Sequence, residues 1–373
     1  MRDLIMRTIY SEEPRQTSRR RTLRAAALTI ALVIVAAACG GAGSNSGPEA
    51  QPAATAPSQD APPPIRLALP SEPLWQWLVD SGELAQWEKQ HGMQIEASHP
   101  FRPFTAFVSG HADVILIDAL DIPAFAQGFE IDPVIIGKYA ADRSITATKR
   151  TSLATDMAGV VEGEIAVDGD LGSTLLWALI VEAAHGLDLS YRSPDFDFFI
   201  ATFGIADAVE SGNADACICL PDESVAGLSS GTLRPLYNGA SAARLFAELS
   251  GTPEQILLGQ IFLVDRAWLE ANPEAVRAFL NLWERAVRHW HGNYAELIGQ
   301  YPELLSVQSD EEIAWLIDYV AANNWITPSV YPTQGDADAY AAALDRLRSS
   351  GLIESDARTP LVSTERLTMT GRE

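Results

Sequence analysis

Carboxylates stand at the ends of several apolar runs that are typical of buried strands. Glu72, next to Ser71, follows IRLALP; Asp118 closes HADVILID; and Asp222 and Glu223 follow ADACICLP. In an open parallel sheet, ligands bind beyond the carboxyl ends of the strands. We therefore expect these residues to border a ligand site, where Asp118, Asp222 and Glu223 accept hydrogen bonds from an ammonium group. Solvated loop carboxylates are the alternative.

The segment Gly172-Ser173-Thr174 indicates a site of the opposite polarity. It follows the predicted strand EIAV and a Gly-containing turn, and it opens an apolar helix. The free backbone N–H groups, the hydroxyls and the positive end of a helix dipole together form an anion site. The alternative is that Ser173 or Thr174 caps the helix, and both roles are compatible. With the nearby carboxylates, this segment predicts a small organic anion or a zwitterion as ligand.

The residues form no constellation that supports catalysis or metal binding. HExxH and Walker-type loops are absent, and the six histidines are scattered. Cys217 and Cys219 share one face of a predicted buried strand, where a disulfide would be strained, so we interpret them as small core side chains. We expect a protein that is not an enzyme and that holds no cofactor and no metal.

Residues 19–47, RRRTLRAAALTIALVIVAAACGGAGSNSG, have the layout of an export signal. The apolar run of 14 residues after the arginines is shorter than the ~20 residues that span a bilayer. Its end, Ala-Ala-Ala-Cys39-Gly, resembles the bacterial lipobox. We therefore predict a signal peptide over 1–38 and a lipid on Cys39, with export by the Sec or the twin-arginine route left open. Residues 39–64, rich in Gly, Ser, Pro and Ala, are typical of a flexible tether.

Composition limits the partners. The 373 residues are 47% apolar, enough for a large core and two lobes. Without residues 1–38, the chain has 19 basic and 46 acidic residues and a net charge of −27. This charge excludes nucleic acid as a partner. It favours solubility, and it reflects a saline habitat or attracts cations.

The order of the predicted elements indicates an α/β fold. Strands and helices alternate from Ile65, which implies a parallel sheet with helices on its faces. The segment SEPLWQWLVDSGELAQWEKQHG has apolar residues at a helical period, which predicts one helix that ends at Gly92. We assign 65–155 to a first lobe and 156–250 to a second. We further assign 251–355 to a return into the first lobe with C-terminal helices, and 356–373 to a tail.

Two segments repeat one pattern. FTAFVSGHADVILID and GIADAVESGNADACICLP each contain a short helix, Ser-Gly, a small polar residue, Ala-Asp and a buried strand. With EIAVDGDLGSTLLW and NPEAVRAFLNLWERAV, this order resembles the periplasmic solute-binding proteins of ABC importers. The resemblance covers about 65–326, and it is strongest to the nitrate, taurine, alkanesulfonate and thiamine-precursor binding group. In that group Glu-Pro often follows the second buried strand, whereas this chain has Pro221-Asp222-Glu223.

The resemblance implies a two-lobed periplasmic-binding-protein fold, type II-like, with crossover strands and a helical C-terminal part. It implies a monomer, held outside the cytoplasm by its lipid anchor, that delivers a small molecule to an ABC permease and ATPase. The residues expected to bind ligand are Ser71, Glu72, Trp75, Asp118, Gly172, Ser173, Thr174, Asp222 and Glu223.

The ligand and the role leave alternatives open. A sulfonate such as taurine is favoured over nitrate or a pyrimidine, which would stack on Trp75, Trp177 or Tyr191. An enzyme of similar fold and a sensor partner of a membrane kinase are the rival functions.

Overall fold

The computed structural model describes residues 63–364, with gaps at 101, 130, 170, 192, 202–203 and 253–257. The predicted signal peptide, the lipidation of Cys39, nearly all of the predicted tether and the end of the tail after 364 lie outside the described residues. Within the described ranges, no helix is long and apolar enough to cross a membrane.

The first lobe is built on a six-stranded sheet in the order β11-β4-β10-β3-β1-β2. Its strands are β1 (Ile65–Ala68), β2 (Ile95–Ser98), β3 (Val114–Asp118), β4 (Pro133–Ala140), β10 (Gln260–Asp265) and β11 (Leu361–Val362). β1 pairs in parallel with β2 and β3, as the alternation predicts. β10 is antiparallel to β3 and β4, because it begins beside the carboxyl ends of those two strands and runs back along them.

The second lobe has a five-stranded sheet in the order β7-β6-β8-β5-β9. Its strands are β5 (Ile145–Lys149), β6 (Glu164–Val167), β7 (Asp197–Ile200), β8 (Ala216–Cys219) and β9 (Leu233–Pro235). β6 is parallel to β7 and β8, whereas β5 is antiparallel to β8 and β9. β5 falls in the range that we assigned to the first lobe, yet it pairs in the second sheet. The first crossover between the sheets is therefore 141–144.

Helices cover both sheets. They are α1 (Pro73–Asp80), α2 (Glu83–His91), α3 (Pro103–Val108), α4 (Ile122–Gly128), α5 (Ser173–His185), α6 (Ile205–Ser211), α7 (Val225–Ser230), α8 (Ala242–Ser250), α9 (Arg266–Ala271), α10 (Pro273–Gln300), α11 (Asp310–Asn323) and α12 (Gln334–Ser349). The single helix predicted up to Gly92 is in fact two, α1 and α2. Its period is interrupted at Gly82, whose φ of +79° lies in the left-handed region that ends α1.

Aromatic side chains fill the core of the first lobe around Trp283 of α10. Trp75 stacks on Trp283 with 6.2 Å between ring centroids, and Phe262 lies at 4.9 Å. In the second lobe, Cys217 and Cys219 are free thiols, 0% and 3% exposed. Their predicted role as small core side chains is confirmed.

Candidate ligand-binding cleft

The ends of three strands and the start of α5 meet between the two lobes, and we call this region the cleft. Gln260, the first residue of β10, lies opposite Asp118 at the end of β3 and opposite Ala140 at the end of β4. From the second lobe, Gly172 approaches this edge. A Cβ atom on Gly172 would lie 3.2 Å from Oδ1 of Asp121 and 3.7 Å from Cγ of Asp118. The two lobes are therefore in contact where the sequence predicted the ligand.

Several donors at the start of α5 already make hydrogen bonds within their own segment. The N–H groups of Thr174 and Leu175 donate to the carbonyls of Leu171 and Gly172, at 3.1 Å each. The hydroxyl of Thr174 donates to the carbonyl of Gly169 at 2.9 Å. These local bonds occupy donors that the anion-site prediction requires to be open. Gly172 itself has φ +53° and ψ −124°, a conformation that favours glycine.

Carboxyl side chains of the protein itself lie around this helix start. We call Asp118, Asp121 and Asp142 the acid cluster. Burial raises the pKa of Asp118 well above its usual value, and Asp121 and Asp142 raise it further, although the N–H of Leu120 donates to Oδ1 of Asp118 at 2.9 Å. Burial also raises the pKa of Asp142, while the hydroxyls of Ser144 and Ser173 lower it. Ser173 thus faces a carboxylate of the crossover.

Arg143, in the crossover, is the functional residue that sequence reasoning missed. Its Nε and Nη2 donate to the two carboxylate oxygens of Asp222, at 2.9 and 3.0 Å. Its guanidinium lies 4.5 Å from the ring centroid of Trp325. Burial alone lowers the pKa of Arg143, but Asp222 and Glu72 keep it above its usual value. The charged pair Asp142-Arg143 between two apolar runs was the available sequence signal.

Glu72 lies on the first-lobe side of the same charged group. It is 8% exposed, and its Oε2 accepts a hydrogen bond from the hydroxyl of Tyr139 at 3.0 Å. Burial raises the pKa of Glu72 to about 7, although Arg143 and Tyr139 lower it and Asp222 raises it. The Glu72 carboxyl is therefore partly protonated near neutral pH.

The predicted site residues are brought together only in part. Asp118, Gly172 and Ser173 meet at the acid cluster, and Glu72 and Asp222 meet at Arg143. Ser71 and Glu223 lie at the strand ends with part of their surface exposed, and the partial burial of the Glu223 carboxyl, together with the charge of Asp222, raises its pKa. Trp75 is 6% exposed within the core, so packing accounts for this side chain in the structure. Thr174 is turned into its own loop.

Two cavities lie away from the cleft. One, of about 510 Å³, is lined by residues of β4, α12 and β11 and by Arg358; the other, of about 360 Å³, lies between the end of α5 and the end of α12. Among the described residues, no group of three or more His, Cys, Asp and Glu side chains is arranged to hold a metal ion.

The protein has two mixed sheets, and each contains an antiparallel strand next to a crossover. This topology is that of a two-lobed periplasmic-binding-protein fold. The fold prediction is confirmed by solved structures. The periplasmic aliphatic sulphonate binding protein SsuA from Escherichia coli is similar, with a TM-score of 0.63 and 19% identity over 84% of this chain and 96% of that one.

Two further solved structures show the same fold. The alkanesulfonate-binding protein SsuA from Xanthomonas axonopodis pv. citri, bound to MOPS, has a TM-score of 0.63 and 18% identity over 81% of this chain and 98% of that one. The periplasmic nitrate-binding protein NrtA from Synechocystis PCC 6803 has a TM-score of 0.57 and 11% identity over 81% and 86%. No family model and no curated protein matches the chain.

Proposed function

We propose that this chain is a lipid-anchored, extracytoplasmic solute-binding protein that delivers a small molecule to an ABC permease and ATPase. One observation carries the proposal. Gly172 of the second lobe meets Asp118 and Asp121 of the first lobe across the cleft, at the strand ends where open sheets bind ligands. Closure of two lobes around a ligand is the motion by which such folds capture solutes. The leader and the Cys39 junction supply the anchor.

We favour binding over catalysis. The similar structures are named for the solutes that they bind. An enzyme of similar fold would need a reactive side chain near a strand end, and Cys217 and Cys219 lie at the end of β8. Both are buried, and a hydrogen bond with Cys219, together with burial, raises the pKa of the Cys217 thiol well above its usual value. Such a thiol is a poor nucleophile at neutral pH.

For the ligand we propose a small organic zwitterion of the taurine type. A simple anion such as nitrate would be repelled by the carboxylates of the cleft once these ionise. A pyrimidine needs an open aromatic face for stacking. Trp75 and Trp177 are 6% and 0% exposed, and Tyr191, which is 48% exposed, already uses one face to stack on Phe198 with 4.6 Å between ring centroids. A zwitterion offers an ammonium group to the carboxylates, which is the feature that favours it.

Isothermal titration of the full-length chain in detergent tests this proposal. The solutes are taurine, alkanesulfonates, nitrate, pyrimidines and polyamines, with a thermal-shift screen of the same set as a first pass. The proposal expects one class to bind at micromolar or tighter affinity. Failure of every class to bind contradicts the function, whereas binding outside the zwitterions contradicts the ligand alone.

A further inference from the structure

We infer that a cationic group of the ligand, an ammonium or a guanidinium, binds at the acid cluster beside the start of α5, where the sequence pattern favoured an anion. This inference rests on the proposed function and names the chemistry of its ligand. It reverses the polarity that a helix start would otherwise impose.

The geometry shows why the cluster accepts a cation. Asp118 ends β3 and Asp121 follows it in the next turn, and both lie against Gly172. Asp142 stands in the crossover, where it interacts with Asp118 and with the hydroxyl of Ser173. The charges of Asp121 and Asp142 raise the pKa of Asp118, so like charge disfavours joint ionisation of the cluster. A cation placed among these carboxylates would relieve that repulsion.

A second observation, two buried oxygen atoms without hydrogen-bond partners, points to a ligand. Asp142 is only 4% exposed, and its Oδ1 accepts from the N–H of Ser144 at 2.9 Å. Its Oδ2 is buried and has no hydrogen-bond partner among the described residues. The buried Oε1 of Gln260, opposite Asp118 in the sheet, likewise has no such partner. A buried acceptor without a donor costs about 1–3 kcal/mol, so a donor is missing here.

Once Asp142 is ionised, the missing group must be a donor and not another acceptor. An ammonium supplies three N–H donors and a positive charge, and a guanidinium supplies five donors in a plane. A sulfonate or a nitrate supplies acceptors alone, which leaves the two buried oxygens unsatisfied. The basic residue among the described ones that interacts with Asp142 is Arg143, and its guanidinium is engaged by Asp222 and Trp325.

Proton release would accompany this binding. The groups that face Asp118 and Asp142 are the carboxyls of Asp121 and Asp168, the guanidinium of Arg143, and the phenols of Tyr319 and Tyr340. Burial raises the pKa of both carboxyls, and the charges of Asp121 and Asp142 raise that of Asp118 further. A bound cation favours the ionised form of each carboxyl, so its binding shifts the equilibrium toward proton release. Affinity for a cation rises with pH, whereas affinity for an anion falls.

Three probes on one carbon skeleton isolate the charged group: ethylammonium, taurine and ethanesulfonate. Isothermal titration of the full-length chain at pH 6 and pH 8, in buffers of different ionisation enthalpy, measures both affinity and protons released. We expect the two ammonium-bearing probes to bind more tightly at pH 8 with release of protons, and ethanesulfonate to bind far more weakly. Binding of ethanesulfonate alone, or of none of the three, overturns the inference.

Two substitutions locate the cation. Asp142→Asn and Asp118→Asn keep the side-chain shape but remove charge, and each should weaken an ammonium probe by about tenfold to a hundredfold. Asp132→Asn, at an exposed carboxylate beside the start of β4 and not at its cleft end, is the matched control and should change nothing. Unchanged affinity in both cluster variants overturns the inference. If a solute of another class then binds and closes the lobes, the proposed function stands without it.

Discussion

The guanidinium of Arg143 and the carboxylate of Asp222 form a two-pronged, almost fully buried ion pair across the crossover, with distances of 2.9 and 3.0 Å. Arg143 belongs to the segment that joins the two sheets, and Asp222 follows β8 of the second. This pair fixes the second lobe to the crossover. It also leaves Arg143 unable to serve a ligand anion without giving up Asp222.

Replacing Asp222 with Asn should destabilise the fold. Arg143 would stay buried with a single neutral acceptor, and loss of one partner of a buried pair costs about 3–5 kcal/mol. Chemical denaturation measures the change. Asp132→Asn, which breaks the exposed pair with Arg266, is the control and should leave the unfolding midpoint nearly unchanged. Equal effects of the two substitutions would contradict the structural role of the buried pair.

Gly172→Ala should impair ligand binding more than stability alone explains. The new Cβ would press on Asp121 and Asp118, and φ of +53° is strained for alanine. Gly186→Ala, at the other end of α5, is the control. Its φ of 69° and ψ of 21° lie in the left-handed helical region, and its Cβ would meet nothing within 4 Å. Gly186→Ala should cost about 1–2 kcal/mol of stability, and Gly172→Ala should cost more.

The two glycine variants differ in binding. Gly172→Ala should weaken the ligand by about tenfold, because the closed state is less populated, while Gly186→Ala keeps the original affinity. Titration with the solute found in the screen measures both. Normal affinity in Gly172→Ala would show that this contact between the lobes has no part in capture.

The protein in the described arrangement should lose stability as pH rises from about 4.5 to about 7. Folding raises the pKa of Glu72 from 4.5 to about 7, so the unfolded chain releases this proton first. The folded state binds more protons in that window, and the free energy of unfolding therefore falls, by about 3 kcal/mol for Glu72 alone. Thermal denaturation across this pH range measures the loss.

Glu72→Gln should flatten part of that pH profile, since glutamine still accepts the hydrogen bond of Tyr139 without titrating. The exposed Glu354→Gln is the control and should keep the original slope. A rise in stability between pH 5 and pH 7 in the original protein would contradict the burial of Glu72.

Cys39→Ala should release the protein from the membrane. The prediction rests on the Ala-Ala-Ala-Cys39-Gly junction behind a basic and apolar leader. Cell fractionation measures the distribution, and mass spectrometry of the original protein should show a lipid on its N-terminal cysteine. Cys217→Ala, a buried thiol in β8, is the control and should stay with the membrane fraction. An unmodified Cys39 would refute the anchor.

Elements with strong local signals could be predicted from the sequence. The buried runs at β3 and β8 and the helix stops at Gly110 and Gly212 are confirmed, and both glycines have positive φ, +72° and +85°. β5 was placed in the wrong lobe because its partners, β8 and β9, lie more than 60 residues away. A short segment carries little information about which sheet it joins.

The site was harder to predict than the fold. Local residues alone predict that a helix start binds an anion. This prediction is valid only when no carboxylate of the protein faces the helix start. Asp118 and Asp121 come from another segment and meet Gly172 only once the lobes are assembled. Asp142 comes from the crossover and faces Ser173. Arg143 was missed for the same reason, since its pairing with Asp222 spans 79 residues.

The central claim is that the two lobes capture a solute by closing around it. Small-angle X-ray scattering of the full-length chain in a lipid-free detergent buffer, with and without the best solute from the titration screen, tests it most directly. The account predicts that the free protein is more extended than the described arrangement. Saturating solute should then decrease the radius of gyration and bring the scattering profile of the folded part to that of the described structure. Identical profiles at saturating solute would contradict capture by closure.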